Sequence, residues 1–299
     1  MIRTLSLSLI VVGMLSVPCQ AQKTKPVTVK YGDHPRQLLD FYLAKSDSPT
    51  PVVFYIHGGG WRAGDKKGIA RSVTYFHDKG ISVAAINYRY IQNADAEGVK
   101  PPVKAPLHDA ARALQFLRSK AKEWNIDKKR IGATGGSAGG CSSLWLAFHD
   151  DLADPKSDDP IARESTRLYC AAVNGAQTSL DPVPLREWMP NYRYGAHAFK
   201  MKNLEEVLAK RDEIKKWIDE YSPMAHVSKD DPPIGMFYRG ETNPKKGDSP
   251  KDPTHSALLG LMLMEALDKA GVNAVISYPG HLLKEYPSAN AYLADKLSK

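Results

Sequence analysis

The chain has 299 residues, a formal net charge of +8 at pH 7 and three cysteines, a size that suits one domain whose core is large enough to need no disulfides. The excess Lys and Arg lie in short clusters such as Lys128-Lys129-Arg130 and Lys245-Lys246, which read as a solvated basic surface. With no nucleic-acid motif beside them, neither DNA nor RNA is expected as a partner.

Arg3, the apolar run over residues 5–17 and Cys19-Gln20-Ala21 read as a signal peptide cleaved after Ala21. The run is too short to span a bilayer and no stop-transfer segment follows, so an exported protein, periplasmic or extracellular, without a membrane span is expected. Cys19 stands where a lipidated cysteine would, but Pro18 fits that alternative badly. Cys141 and Cys170 are expected as small buried apolar side chains, so no disulfide and no metal are implied.

Residues 27–30 and 38–43 flank Tyr31-Gly32-Asp33 as two strands around a turn, the antiparallel edge of a sheet. A buried strand over 52–56 runs into His57-Gly58-Gly59-Gly60-Trp61, a helix follows over 66–78, and 81–87 is a strand covered on both faces. Residues 101–106 read as a loop. The apolar positions Leu107, Ala110, Ala111, Leu114, Leu117 and Ala121 recur near a period of 3.6, predicting an amphipathic helix over 107–123. Next come a strand over 130–134, a glycine-rich turn and a helix over 141–148, then an acidic loop over 150–159 and a strand over 169–174.

From about 178 to 232 no strong strand signal is present, only turn signals and one helix over 204–220, so this stretch reads as a cap-like insertion. Its aromatics Trp188, Tyr192, Tyr194 and Phe199 suit either a pocket lining or a small core of their own. Order returns with a strand over 234–238, a helix over 254–270, a strand over 274–277 and a helix over 288–297. The alternation predicts an α/β fold, a doubly wound and mostly parallel sheet with active loops at the carboxyl ends of its strands, in a single domain over 22–299.

The turn after the strand at 130–134 carries Gly-x-Ser-x-Gly, with Gly135 and Gly139 around Gly136-Ser137-Ala138. A strand-to-helix reversal this tight leaves almost no room for side chains beside the serine, and the helix that starts there aims free N–H groups at its hydroxyl. A glycine-rich loop that only turns a corner or binds a phosphate would show the same motif. A second signal argues against that reading: the strand ending in His57-Gly58-Gly59-Gly60 lies upstream, where an oxyanion loop belongs.

Through His57-Gly58-Gly59-Gly60-Trp61, Gly64-Asp65-Lys66, Asn87-Tyr88-Arg89 and Gly136-Ser137-Ala138-Gly139-Gly140, the chain resembles the α/β-hydrolase superfamily from roughly Leu38 to its end. Within that superfamily it is similar to secreted carboxylesterases of the acetyl-xylan and feruloyl esterase kind. The resemblance implies a cofactor-free serine ester hydrolase with a small-molecule or polysaccharide ester as substrate, Ser137 as nucleophile, and the N–H groups of Gly59, Gly60 and Ala138 as oxyanion hole. It sets no oligomeric state. Lipases and peptidases share the fold, and a non-catalytic binding module is the rival from another class.

Ser137 needs an imidazole and a carboxylate, in the family order Ser, acid, His. Of the histidines after it, His149, His197, His226, His255 and His281, His281 matches best, because it follows the last strand and the turn Tyr278-Pro279-Gly280. That turn is about two residues shorter than the family pattern. Counting back from the helix at 265–272 puts the acid on Asp252, with Asp248, Glu241 and Asp181 as alternatives. The expected triad is therefore Ser137, Asp252 and His281. His57, Trp61, His255 and Asp248 are expected as substrate contacts or structural support, with His255 near enough to reach Ser137 if its loop folds inward. Asp65, Arg89 and Asp109 are expected to pair and brace the site loops.

Overall fold

Apolar side chains in Thr50–Ile56 (β3) alternate between two buried clusters, with Val52, Phe54 and Ile56 on one face and Val53 on the other. That period of two, with both faces apolar, is what a strand covered by helices on each side requires. The computed structural model describes residues 25–299. The expected signal peptide at 1–21 lies outside the described residues.

Around β3 the strands Val27–Lys30 (β1), Leu38–Tyr42 (β2), Ser82–Asn87 (β4), Ile126–Gly136 (β5), Cys170–Asn174 (β6), Ile234–Phe237 (β7) and Ala274–Ser277 (β8) form one sheet in the order β1-β2-β4-β3-β5-β6-β7-β8. The β1–β2 and β2–β4 pairs are antiparallel and all the others parallel. This is the fold class the sequence predicts, with the antiparallel edge at the expected place.

Val73–His77 (α1) and Ala289–Leu297 (α9) bury Phe76, Leu293 and Leu297 in the cluster on one face. The opposite face is covered by Lys104–Ser119 (α3), Ala138–Phe148 (α4) and Ala257–Ala270 (α8), through side chains such as Leu114, Leu144 and Leu263. Ile91–Ala96 (α2) is a short helix with no counterpart among the elements expected from sequence.

Several boundaries differ from expectation. The helix expected at 66–78 is a 3₁₀ segment, Lys66–Ser72, followed by the single α-helical turn of α1. The stretch expected as a loop at 101–106 already enters α3 at Lys104. In the insertion, Pro182–Trp188 (α5) is an additional helix, and the helix expected at 204–220 is two, Leu204–Ala209 (α6) and Lys215–Tyr221 (α7). Between those two, Arg211 turns aside to pair with both carboxylate oxygens of Asp181, the N-cap of α5, at 2.8 and 2.6 Å. Trp188, Tyr192 and Phe199 are buried, so these aromatics form the insertion's core and not an open pocket wall.

The segment after the glycine loop is tied down from beneath. Lys66 Nζ meets the Asp40 carboxylate of β2 at 2.9 Å with both side chains nearly inaccessible, and Lys66 N–H donates to Asn87 Oδ1 at 2.7 Å. Removing one member of a buried pair strands the other charge, at a cost of about 3–5 kcal/mol. Lys66→Met is therefore expected to lower the unfolding free energy by about that much, and Lys66→Met with Asp40→Leu to recover most of it. Urea titrations of the two variants check this, and additive losses would contradict it.

Candidate active site

β5 ends at Gly136 and α4 begins at Ala138, leaving Ser137 alone in the reversal with φ 52° and ψ −127°. Such backbone is strained for a residue with a side chain. It is held by Ser137 N–H donating to Asn174 C=O at 2.9 Å and by Cys141 N–H donating to Ser137 C=O at 2.9 Å. A Cβ on Gly139 would fall 2.1 Å from Ile56 O, and one on Gly135 would fall 2.4 Å from the same atom. The two flanking glycines are thus required because the end of β3 lies directly against the elbow.

The same contact sets the loop that follows β3. A Cβ on Gly58 would sit 2.5 Å from Gly136 O and 3.6 Å from the Ser137 Cβ, so the loop passes beside the serine. Gly59 and Gly60 have φ of 103° and 61°. Among the described residues, the N–H groups of Gly59, Gly60 and Ala138 donate to no other protein group. Trp61 is fully buried and donates its indole N–H to Ser142 Oγ on α4 at 3.0 Å, clamping the loop to the elbow helix.

His57 braces this loop and takes no part in contacts to Ser137. Its Nδ1–H donates to Gly58 C=O at 2.8 Å and its ring stacks on Tyr88, whose hydroxyl donates to His57 C=O at 2.8 Å. Burial lowers its pKa to about 4 and keeps it neutral. Beneath it, Asn87 Nδ2 donates to Asp65 Oδ2 at 2.9 Å, and Arg89 grips the buried Asp109 carboxylate with its Nε and Nη2 at 2.7–3.1 Å.

The histidine that reaches the serine is His255. Its Nε2 lies 3.0 Å from Ser137 Oγ and its Nδ1 lies 2.7 Å from Asp252 Oδ2. An ionised carboxylate only accepts, so Nδ1 carries the hydrogen and Nε2 is left to accept from the serine hydroxyl. Asp252 and His255, three residues apart in sequence, are brought together because Pro253–His255 forms one 3₁₀ turn just before α8. Gly175, at φ 51°, underlies the imidazole, and a Cβ there would sit 3.5 Å from the His255 Cβ. Two side chains from outside the loop hold it: Asn191 donates to Pro250 C=O and buried Gln177 donates to Thr254 C=O, each at 2.7 Å.

His281, expected at the serine, is placed elsewhere. Tyr278 and His281 exchange backbone hydrogen bonds at 3.2 and 2.8 Å around Pro279-Gly280, and the exposed imidazole stacks on Tyr278. The short turn closes on itself and holds His281 beside the end of β8. The alternative acids are also accounted for. Asp181 pairs with Arg211, Asp248 accepts from Lys245 N–H at 2.8 Å, and Glu241 accepts from Ala257 N–H at 3.4 Å. The signal for His255 in the sequence is Asp-Pro-Thr-His directly before an apolar helix, because proline at the first position of a turn brings residues three apart onto one side.

Two further features lie beside the site, and the second includes Tyr194, one of the insertion aromatics read from sequence as a pocket lining or a small core. A cleft of about 610 Å³ opens next to Asp252 and His255, bordered by Tyr238, Arg239, Pro279 and Leu282. On the far side of the glycine loop, Tyr194 and His197 of the insertion approach Gly60: a Cβ there would lie 3.3 Å from Tyr194 Oη and 3.8 Å from His197 Nε2.

Residues 39–245 match the BD-FAE family. Among curated proteins, the chain is 30% identical over 220 residues to a probable carboxylic ester hydrolase, LipM, of Mycobacterium tuberculosis, covering 70% of this chain and 46% of that protein. The chain thus spans less than half the length of that relative. Among solved structures, it is similar to an acetyl ester-xyloside bifunctional hydrolase from Caldicellulosiruptor lactoaceticus, at TM-score 0.64 and 23% identity over 88% of each chain. It is also similar to a truncated carbohydrate esterase from gut microbiota, at TM-score 0.66 and 20% identity, covering 93% of this chain and 99% of that one. At these identities the structural likenesses establish the fold.

His197 gives the site loops a pH dependence. Burial lowers its pKa from 6.5 to about 4. The unfolded chain therefore binds the proton first, and the stability present above pH 6.5 is lost as pH falls toward 4, on the order of 3 kcal/mol in all. His197→Phe is expected to flatten this part of the stability-pH curve by that amount. Urea unfolding from pH 7 to 4 measures it, and parallel curves for the two proteins would contradict it.

Proposed function

The chain belongs to the BD-FAE family, within the α/β-hydrolases, and we propose that it is an exported serine carboxylesterase whose triad is Ser137, His255 and Asp252. The observation that carries this reading is the pair of contacts made by one imidazole, 3.0 Å to the serine hydroxyl and 2.7 Å to the carboxylate.

In this mechanism His255 Nε2 takes the Ser137 proton as Oγ attacks the ester carbonyl. The N–H groups of Gly59, Gly60 and Ala138 receive the negative charge that develops on the carbonyl oxygen, and because they have no protein acceptor to give up, they do so without reorganisation. Asp252 keeps the imidazole in the productive tautomer and stabilises it when protonated. His255 then returns the proton to the departing alcohol, and a water activated by the same nitrogen releases the acyl group. No cofactor enters this scheme.

For substrate we propose small or aromatic acyl esters, including esters carried by polysaccharide. The open cleft of about 610 Å³ beside His255 has room for a bulky ester substituent. The likeness in fold to an acetyl ester-xyloside hydrolase and to a carbohydrate esterase supports the same direction. Export rests on the sequence pattern of Arg3, the apolar run over 5–17 and Ala21. No helix among the described residues is long and apolar enough to cross a membrane.

A fluorophosphonate probe should label the purified protein once per chain, and Ser137→Ala should remove the label. The Asp252 side chain is 63% exposed, so water replaces part of its role. Asp252→Asn is expected to lower kcat/KM on a small acetyl ester on the order of 10², less than the roughly 10⁴ lost in triads with a buried acid. Asp248→Asn should leave it unchanged. An unlabelled wild-type protein would favour a binding function, and equal effects of the two substitutions would displace Asp252 from the triad.

A further inference from the structure

The far end of the elbow helix carries a cluster that ester hydrolysis does not use. His149 caps α4 at its carboxyl end, roughly 18 Å of helix away from Ser137. There one nitrogen each from His149 and His226 and one carboxylate oxygen of Glu220 lie within 4.8 Å of one another. The rings of His149 and His226 are 4.6 Å apart, centre to centre.

Both histidines are held in defined tautomers by carbonyl groups, which can only accept. His149 Nδ1–H donates to Asp150 C=O at 2.9 Å, and His226 Nε2–H donates to Glu220 C=O at 2.7 Å. That leaves the lone pair of the neutral ring on Nε2 of His149 and on Nδ1 of His226. A ligating imidazole is commonly fixed in the same way, through its other nitrogen. The Glu220 carbonyl also accepts the Trp145 indole N–H at 2.8 Å, which locks the end of α7 against α4.

His149 Nε2 faces Glu220 Oε1 at 3.2 Å. In the neutral tautomer these are two acceptors, and a cation between them resolves the conflict. Two ligand atoms each about 2.1 Å from a tetrahedral zinc ion stand roughly 3.4 Å apart, close to the spacing seen here. Two imidazoles and one carboxylate suit zinc and its neighbours and do not suit magnesium or calcium, which prefer oxygen. The Glu220 side chain is 40% exposed, leaving an entry path and a place for water as fourth ligand.

We propose that His149, Glu220 and His226 form a binding site for a zinc-class divalent transition metal, joining the end of the elbow helix to the insertion at α7 and the turn after it. This departs from the expectation of no metal, which weighed the cysteines and not these three residues together.

The test uses the full-length protein stripped with a chelator and titrated with zinc chloride, followed by calorimetry and thermal unfolding. One ion per chain is expected, with Tm raised on the order of 5 °C at zinc a hundredfold above Kd, and magnesium chloride should give no shift. Glu220→Gln and His226→Gln should each abolish the zinc response while leaving fluorophosphonate labelling of Ser137 intact. The His226→Gln variant keeps an N–H donor for the Glu220 carbonyl. His281→Ala, which removes an exposed histidine outside the cluster, should keep the full response. No saturable binding by the wild type would overturn the proposal. A response that survives both cluster substitutions would overturn it equally.

Discussion

The backbone carbonyl of Ile56 rests against the peptide units of Gly135 and Gly139, so closely that a Cβ at either glycine would lie no more than 2.4 Å from it. This contact joins the carboxyl ends of β3 and β5, and the geometry around Ser137 depends on it. It lets the glycine loop run beside the serine, and it allows Trp61 to reach across and bond Ser142 on α4 at 3.0 Å. The left-handed backbone at Ser137 costs about 1–3 kcal/mol. The hydrogen bonds to Asn174 and Cys141, together with the packed sheet below, offset that cost.

The histidine half of the site is built on a different principle. Asp252 and His255 come from one short 3₁₀ turn between β7 and α8, and the sheet alone does not position them. The insertion and the segment that leads into it supply the missing support. Asn191 and Gln177 bond the backbone of the turn from outside, while Trp188 C=O accepts from Gly247 N–H at 2.8 Å. A cap-like segment with no strand of its own thereby shapes the loop that faces the serine. Trp188, Tyr192 and Phe199 are buried in that scaffold, while Tyr194 and His197 approach the glycine loop.

The strands were legible because their apolar residues have period two or run continuously, and the elbow was legible because steric exclusion leaves glycine as the only solution at Gly135 and Gly139. Asp252 was reachable by counting back from α8. The imidazole was harder, since the expectation of His281 rested on the topology of the last strand, whereas the outcome depends on loop length. With only Pro279 and Gly280 between Tyr278 and His281, the turn closes its own hydrogen bonds and cannot extend toward the elbow. The path of the chain over 239–254 depends on long-range bonds from Asn191 to Pro250 and from Gln177 to Thr254, and no local pattern announces those. Short helices such as α2 and α5 escaped for a related reason, being too brief to show a 3.6-residue period.

The chemistry assigned to Ser137 rests on the imidazole of His255. Ester hydrolysis by His255→Ala and His281→Ala, with fluorophosphonate labelling rates measured alongside, tests it most directly. His255→Ala is expected to lose turnover and labelling together while His281→Ala retains both. An active His255→Ala protein beside an inactive His281→Ala protein would contradict the assignment.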